Sequence, residues 1–174
     1  MGSSKEIVMP SNNTDVAIVF HAIGEIHTPF REATGTPIQT VYGQDIRGRI
    51  ELKESYASAL DDIEGFERLW VIYWMDRVSG FKPKVLPYRD TQEHGLFATR
   101  SPARPNPIGM SVVRFLRREG STLYVLDIDI LDGTQLLDIK PYIPAYDSYP
   151  VSRAGWFDIA GADRRMADDR FHQK

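Results

Sequence analysis

Turn-forming residues break this 174-residue chain at short intervals, with 13 glycines and 11 prolines, and the runs between them show no strand–helix–strand rhythm. Such punctuation restricts the chain to short strands joined by turns, the pattern of a barrel or a sandwich. Val16–Phe20 and Ile23–His27 are apolar and partly β-branched, Arg47–Lys53 alternates around Ile50 and Leu52, and Ser111–Leu116 adds another strand. Phe66–Met75 (FERLWVIYWM) is almost continuously apolar, as in a strand buried on both faces. Thr122–Leu131 predicts a strand with Tyr124, Leu126, Ile128 and Ile130 on one face and Asp127 and Asp129 on the other. Short helices are expected at Ser55–Asp62 and Ala162–His172. Residues 1–15 are polar and read as a disordered or tag-like lead-in, and 16–174 as one domain.

Composition narrows the function classes. No apolar run approaches the ~20 residues that span a bilayer, and no signal-peptide pattern opens the chain, so a cytoplasmic protein without a membrane partner is expected. Cysteine is absent, which removes disulfides, thiolate metal sites and cysteine nucleophiles. The four histidines lack metal-ligand spacing, and no metal is expected. The net charge of −3 hides an asymmetry: Arg77–Arg118 holds nine Lys/Arg against two acids, +7, and the remainder carries −10. That segment reads either as a local phosphate-binding surface or as charge scattered over solvated faces. No G-x-G-x-x-G, P-loop or G-x-S-x-G elbow is present, so a Rossmann-type cofactor site is unsupported.

Two segments carry what chemistry there is. In Gly95–Gly109, Pro102, Pro105 and Pro107 fix φ, and each pushes its preceding residue extended. The backbone is thus stiff at low entropic cost, and the segment reads either as a loop holding Arg100 and Arg104 ready as planar donors to carboxylate or phosphate or as a stiff strand connection with two solvated arginines; Gly109 permits a close approach. In Asp129–Pro144, the turn signal Asp132-Gly133-Thr134 is followed by Asp138, Lys140 and Tyr142, which share one side of an extended chain. These three could form a polar site or a hydrogen-bonded closure of the fold. Pro37–Val41 is a proline-led turn carrying the amide of Gln39.

The blocks FATRSPARPNPIGMSVVRF and DGTQLLDIKPYIPAYD, with IGEIHTPF and EGFERLWVIYW in support, resemble the TsaA/TrmO-like family over about residues 23–147. The resemblance implies a mainly β, single-domain barrel with one or two short helices that binds S-adenosylmethionine (SAM) without a Rossmann fold. It implies a homodimer with the cofactor near the subunit interface, and N6-methylation of N6-threonylcarbamoyladenosine next to the anticodon of tRNA. By matching position, the cofactor contacts are Gln39, Thr40, Val41, Asp76, Arg77, Arg100, Met110, Asp132, Gly133 and Thr134. Three motifs depart from the family: Arg68 stands where a histidine is usual, Asp76-Arg77 where His-Gln is common, and Gln135 where proline follows Gly-Thr. Longer members carry a further C-terminal domain suited to holding tRNA.

The acceptor nitrogen of such an adenosine is conjugated and weakly nucleophilic, so it gains from losing its proton during attack. Asp138 and Tyr142 are the expected proton acceptors and Lys140 the expected partner of a substrate carboxylate or phosphate. Tyr88, Tyr142 and Tyr146 are candidate stacking platforms for a splayed base. Three other readings remain: a SAM-dependent methyltransferase of another nucleoside or small metabolite, a non-catalytic SAM- or RNA-binding barrel, and a purely structural interaction module.

Overall fold

The computed structural model describes residues 6–7, 17–161 and 163–171. Its strands in chain order are β1 (Glu6–Ile7), β2 (Phe20–His21), β3 (Gly24–His27), β4 (Gly48–Leu52), β5 (Arg68–Trp74), β6 (Lys84–Val85), β7 (His94–Gly95), β8 (Ile108–Glu119), β9 (Thr122–Leu126) and β10 (Thr134–Pro141), with one α-helical turn, α1 (Pro144–Asp147). Six strands close an antiparallel barrel in the order β10-β3-β4-β9-β8-β5, which leaves no free sheet edge. Two ribbons, β1–β2 and β6–β7, stand outside it.

Alternation sets what the barrel encloses. Ile26 of β3 faces Ile50 of β4, and Ile50 faces Leu123 of β9. Leu69 of β5 faces Val113 of β8. All five are fully buried, and with Val71, Val125 and Leu136 they fill the interior. The β8–β9 hairpin turns through Gly120-Ser121, with Gly120 at φ 58° supplying the conformation that matches the strand twist.

The strand expected over Thr122–Leu131 stops at Leu126. Asp127 takes a left-handed conformation, φ 63°, and shifts the alternation by one. Leu123 and Val125, not Tyr124 and Leu126, therefore point inward in β9, while Ile128 and Ile130 re-enter the core from the following loop. Asp127 is 5% exposed. Its carboxylate accepts from the Asp45 N–H at 3.0 Å and from Arg68 Nη2 at 3.0 Å, with Arg114 Nε at 3.5 Å. Arg68, the residue at the family's usual histidine, thus pins the bend to the start of β5.

Other expectations change as well. Ser55–Asp62 becomes a 3-10 segment, Glu54–Leu60, with only Leu60 buried. Of Val16–Phe20 only Phe20 is in a strand, and Val16 lies outside the described residues. No helix forms within residues 163–171; this stretch runs extended along Gly35–Ile38, exchanging backbone bonds at Ala167 and Arg165, and Ala162 and His172 lie outside the described residues. So does most of the lead-in, except Glu6–Ile7, which pairs with β2. Thr134–Pro141, unassigned as a strand from sequence, closes the barrel, with a register shift between Leu136 and Asp138.

A second apolar cluster lies outside the barrel: Val85, Leu96, Ala103 and Phe171, with Tyr88 against it. It ties the β6–β7 ribbon, the proline-rich loop and the end of the described chain together.

Gly24 sits where β3 and β4 approach most closely: a Cβ there would lie 2.3 Å from the Glu51 carbonyl oxygen and 2.9 Å from the Leu52 Cα. Gly24→Ala is expected to destabilise the fold by ~2–3 kcal/mol, read as a fall in the urea midpoint. An unchanged midpoint would show that the strands separate at no cost.

Candidate functional site

The chemistry collects at one end of the barrel, in a cleft of about 980 Å³, the upper end of the ~300–1,000 Å³ usual for ligand sites. A smaller recess of about 150 Å³ beside the Glu54–Leu60 segment is lined mainly by apolar residues such as Ile63, Phe66 and Ile139, and offers a ligand little polar chemistry.

The cleft floor comes from the barrel itself. Tyr73 lies near the end of β5 and Met75 just after it, Ile108, Gly109 and Met110 begin β8, and Asp129, Ile130 and Leu131 belong to the loop that Asp127 diverts across the barrel mouth. The Tyr73 ring lies over Gly109, where any Cβ would fall 2.2 Å from it. The close approach expected at Gly109 is therefore made by an aromatic ring of the chain itself. Tyr73 donates to Ser111 Oγ at 3.1 Å, and Ser111 donates to Asp129 Oδ1 at 2.6 Å. Burial pushes the Asp129 carboxyl up to about 6, against the opposing pull of the Ser111 hydroxyl and the Arg100 charge. Burial likewise raises Tyr73, reinforced by the charge of Asp129.

One wall is the segment from Thr36 to Tyr42, facing the proline-rich loop. Arg100 Nη1 donates to Gln39 Oε1 at 2.5 Å and so joins the two. The loop is stiffened by more than its prolines: Ala103 is fully buried in the second apolar cluster, its carbonyl accepts from Lys82 N–H at 3.1 Å, and Arg104 Nη1 donates to the Thr99 carbonyl at 3.0 Å. Opposite, Arg77 Nη2 donates to the Asp132 carbonyl at 2.6 Å and approaches Thr134 Oγ1 at 3.4 Å, with Asp76 Oδ1 3.4 Å from its Nε. The remaining wall is the C-terminal stretch, through Ala154, Trp156, Phe157, Ala167 and Phe171.

Gln39, Thr40, Val41, Asp76, Arg77, Arg100, Met110 and Thr134 all line this cleft. Asp132 and Gly133 sit just behind it. The Asp132 carboxylate accepts from Thr28 N–H at 3.1 Å, and Gly133, at φ 76°, turns the chain into β10. Asp138, Lys140 and Tyr142 are elsewhere. The register shift in β10 turns Ile139 toward the core. Asp138 and Lys140 form an exposed ion pair at 2.6 Å, and Tyr142 packs on Trp70 at 5.9 Å. Lys140 pairs with Trp70, whereas Leu136 pairs with Tyr73, so Lys140 lies roughly 13 Å farther along the strand from the cleft. Of the proposed platforms, Tyr88 lines the cleft but is packed edge-on against Phe171 and bonded to the Asp168 carbonyl, and Tyr146 is exposed away from it.

The basic segment divides in two. Arg77, Arg89, Arg100 and Arg104 reach the cleft. Arg114, Arg117 and Arg118 are held on the barrel exterior by Asp45, Glu119 and Asp61. From sequence, Asp129 reads only as an acid at a strand end and Arg89 only as part of the basic segment. Tyr42, Tyr73, Trp156 and Phe157 carry no site signal there, because their place in the cleft depends on contacts far apart in the chain.

The family model of the tRNA-methyltransferase O N-terminal domain matches residues 25–148. A probable SAM-binding protein of Pyrococcus abyssi is 44% identical over 156 residues, covering 88% of this chain and 85% of its own length. The tRNA (adenine(37)-N6)-methyltransferase of Escherichia coli is 35% identical over 153 residues, covering 82% of this chain and 65% of the relative. A crystal structure of TrmO superposes with a TM-score of 0.67 at 36% identity, over 77% of this chain and 61% of that one. The chain therefore spans under two thirds of the tRNA-methylating relative and of the solved TrmO.

Asp129 titrates near 6 in the fold and near 3.8 when exposed, so folding favours its protonated form. The group weighs against the ligand-free fold increasingly as pH rises from about 4 through 6, and fully at neutral pH. Asp129→Asn, which keeps an acceptor for Ser111, is expected to raise the melting temperature of the ligand-free protein at pH 7.5 by several degrees, with ~1 kcal/mol corresponding to ~2–4 °C at this size. The gain should shrink steadily below pH 6 and vanish near pH 4. A gain independent of pH would refute the burial of this charge.

Proposed function

The chain belongs to the family of tRNA-methyltransferase O N-terminal domains, and from that premise we propose that it is a SAM-dependent methyltransferase acting on N6 of N6-threonylcarbamoyladenosine beside the anticodon of tRNA. One observation carries this reading: Gln39–Val41, Asp76-Arg77, Arg100, Met110 and Thr134, from separate stretches of sequence, converge on one cleft.

The residues fit the cofactor. A zwitterionic amino-acid head, a ribose and an adenine require both signs of charge and an apolar wall. The cleft has Arg77 and Arg100 for a carboxylate, Asp76 and Asp129 for an ammonium or ribose hydroxyls, and Val41, Ile130 and Met110 for a ring. When bound, SAM supplies a methyl group already activated on a sulfonium. The chain's own task is to bind, orient and take up a proton. The Arg100–Gln39 bond holds both side chains in register, and the proline-fixed backbone keeps that geometry without an ordering cost on binding. The conjugated nitrogen of the substrate must lose its proton, and the threonyl carboxylate needs a cation; the four cleft arginines supply that charge.

Within one chain Asp138, Lys140 and Tyr142 do not reach the cleft. In a homodimer they would meet it from the other protomer, Asp138 and Tyr142 as proton acceptors and Lys140 on the substrate carboxylate or phosphate. The exposed Val41, Ile108 and Met110 at the cleft margin are apolar surface of the kind a subunit interface covers.

Calorimetric titration with SAM is expected to show saturable binding that weakens at least tenfold in Arg100→Ala. No binding to the intact chain, with or without tRNA, would refute the methyltransferase reading. For the dimer, Arg100→Ala and Asp138→Asn should each lose methyl transfer to threonylcarbamoylated tRNA, and their equimolar mixture should recover up to about a quarter of it. A mixture as inactive as its components would place the proton acceptor within a single chain.

A further inference from the structure

The cleft is larger than a cofactor alone requires, and its outer rim is built differently from its floor. Two partly exposed phenylalanines stand there, each with a guanidinium over one face of its ring and the rest of the ring open to solvent. Phe157 is 48% exposed, with Arg89 Cζ 4.8 Å from its ring centroid. Phe97 is 76% exposed, with Arg104 Cζ at 5.4 Å. Trp156 fastens the two pairs to each other. Its Nε1 donates to the carbonyl of Ala98, next to Phe97, at 2.7 Å, and its ring stacks on His94 at 4.7 Å and 16°. His94 is in turn held by Asp90 at 2.8 Å. The turn carrying Trp156 and Phe157 is preset: Gly155 has φ 63°, and the Asp158 carboxylate accepts from Ala154 N–H at 2.7 Å.

Exposed aromatic faces of this size cost free energy in water and contribute nothing to the core. Arg89 bonds to the Tyr42 hydroxyl and lies 3.8 Å from Asp163, and its Nε is buried with no hydrogen-bond partner among the described residues. That Nε is closed off from solvent and from any ligand, so a phosphate contact would fall to the outer nitrogens of the guanidinium. A flat apolar face beside a guanidinium is the chemistry that receives a nucleotide of a single strand: the base stacks on the ring and the phosphate meets the arginine. Phe157 and Trp156 also lie beyond residues 25–148, the part matched by the family model.

We propose that the Phe97–Arg104 and Phe157–Arg89 pairs, clamped by Trp156, form a binding site for two unstacked nucleotides of a single-stranded RNA loop at the mouth of the cofactor cleft. The site deepens the methyltransferase reading and rests on it, since it holds the loop whose modified adenosine enters the cleft. SAM binds at the floor independently of it.

The test measures fluorescence anisotropy of a labelled anticodon stem-loop RNA with the full chain, alongside calorimetric SAM affinity. Phe97→Ala and Phe157→Ala are each expected to weaken RNA binding roughly tenfold or more, as loss of one base stack does, and to leave the SAM dissociation constant within twofold. Arg104→Gln should lower the slope of log affinity against log salt by about one. The exposure of both phenylalanines predicts unchanged melting temperatures, which are checked. RNA affinity unchanged in both alanine variants, or no RNA binding by the wild type, overturns the site while SAM binding leaves the methyltransferase reading standing. A parallel fall in SAM affinity also overturns it, by making the rim part of the cofactor pocket. Absence of SAM binding in the wild type marks failure of the underlying reading instead.

Discussion

One buried carboxylate sets both the barrel and its site. Asp127 bends the chain out of β9 in a left-handed conformation, and its oxygens take the Asp45 N–H and the guanidinium of Arg68, with Arg114 alongside. A buried carboxylate without partners would be untenable, and these contacts offset its desolvation. The bend makes the alternation skip, so Ile128 and Ile130 complete the core while Asp129, between them, is turned toward the cleft. Had the strand continued straight with Leu123 and Val125 inward, Asp127 and Asp129 would have pointed into the apolar interior and Ile128 and Ile130 out of it. The arginine at the family's usual histidine thus serves the bend rather than the cleft.

From that bend the polar site propagates by short links. Asp129 fixes Ser111, Ser111 fixes Tyr73, and Tyr73 can lie flat only because residue 109 has no side chain. Gly109 closes the proline-rich motif, so the stiff loop and the floor of the cleft meet at this residue. Arg100 is delivered from the loop and held by Gln39 from the opposite wall. The site is therefore prepared before any ligand arrives, which is how a barrel without a glycine-rich phosphate loop can present oriented charges.

Local signals made much of this legible. Turn spacing and β-branched runs located four of the six barrel strands within a few residues: β3, β4, β5 and β8. The prolines of Gly95–Gly109 marked the rigid element of the site, because a fixed φ is a property of the residue and not of its surroundings. What was illegible depends on distant partners. The inward face of β9 was misread because the acidic pair Asp127 and Asp129 looks like a polar face, whereas one of them ends the strand. β10 is hard to see in the sequence because TQLLDIKP mixes polar and apolar residues without strict alternation and ends in proline, yet the barrel needs it as the last strand between β3 and β5. The helix expected in the tail failed because the backbone groups of Ala167 and Arg165 bond to Gly35–Ile38 instead of to each other, a tertiary preference that outweighs weak helical propensity. Asp138, Lys140 and Tyr142 were grouped by their alternation, and only the register of β10 shows how far they lie from the cleft.

The division between floor and rim has a physical logic. The floor is built by the barrel and by a loop anchored in a buried cluster, where backbone positions are over-determined. At the rim, the Trp156-Phe157 turn is held by the tryptophan hydrogen bond to Ala98, the ring stack on His94 and the guanidinium of Arg89, while residues 163–171 are tied to Gly35–Ile38, Ser79 and Leu86–Tyr88 by bonds of their own. None of the bonds that hold the Trp156-Phe157 turn involves Asp127, Tyr73 or Arg100, so its exposed aromatics can change without disturbing them. The rim can therefore change while the floor stays as it is, because the two share the space of the cleft but few of the contacts that shape it.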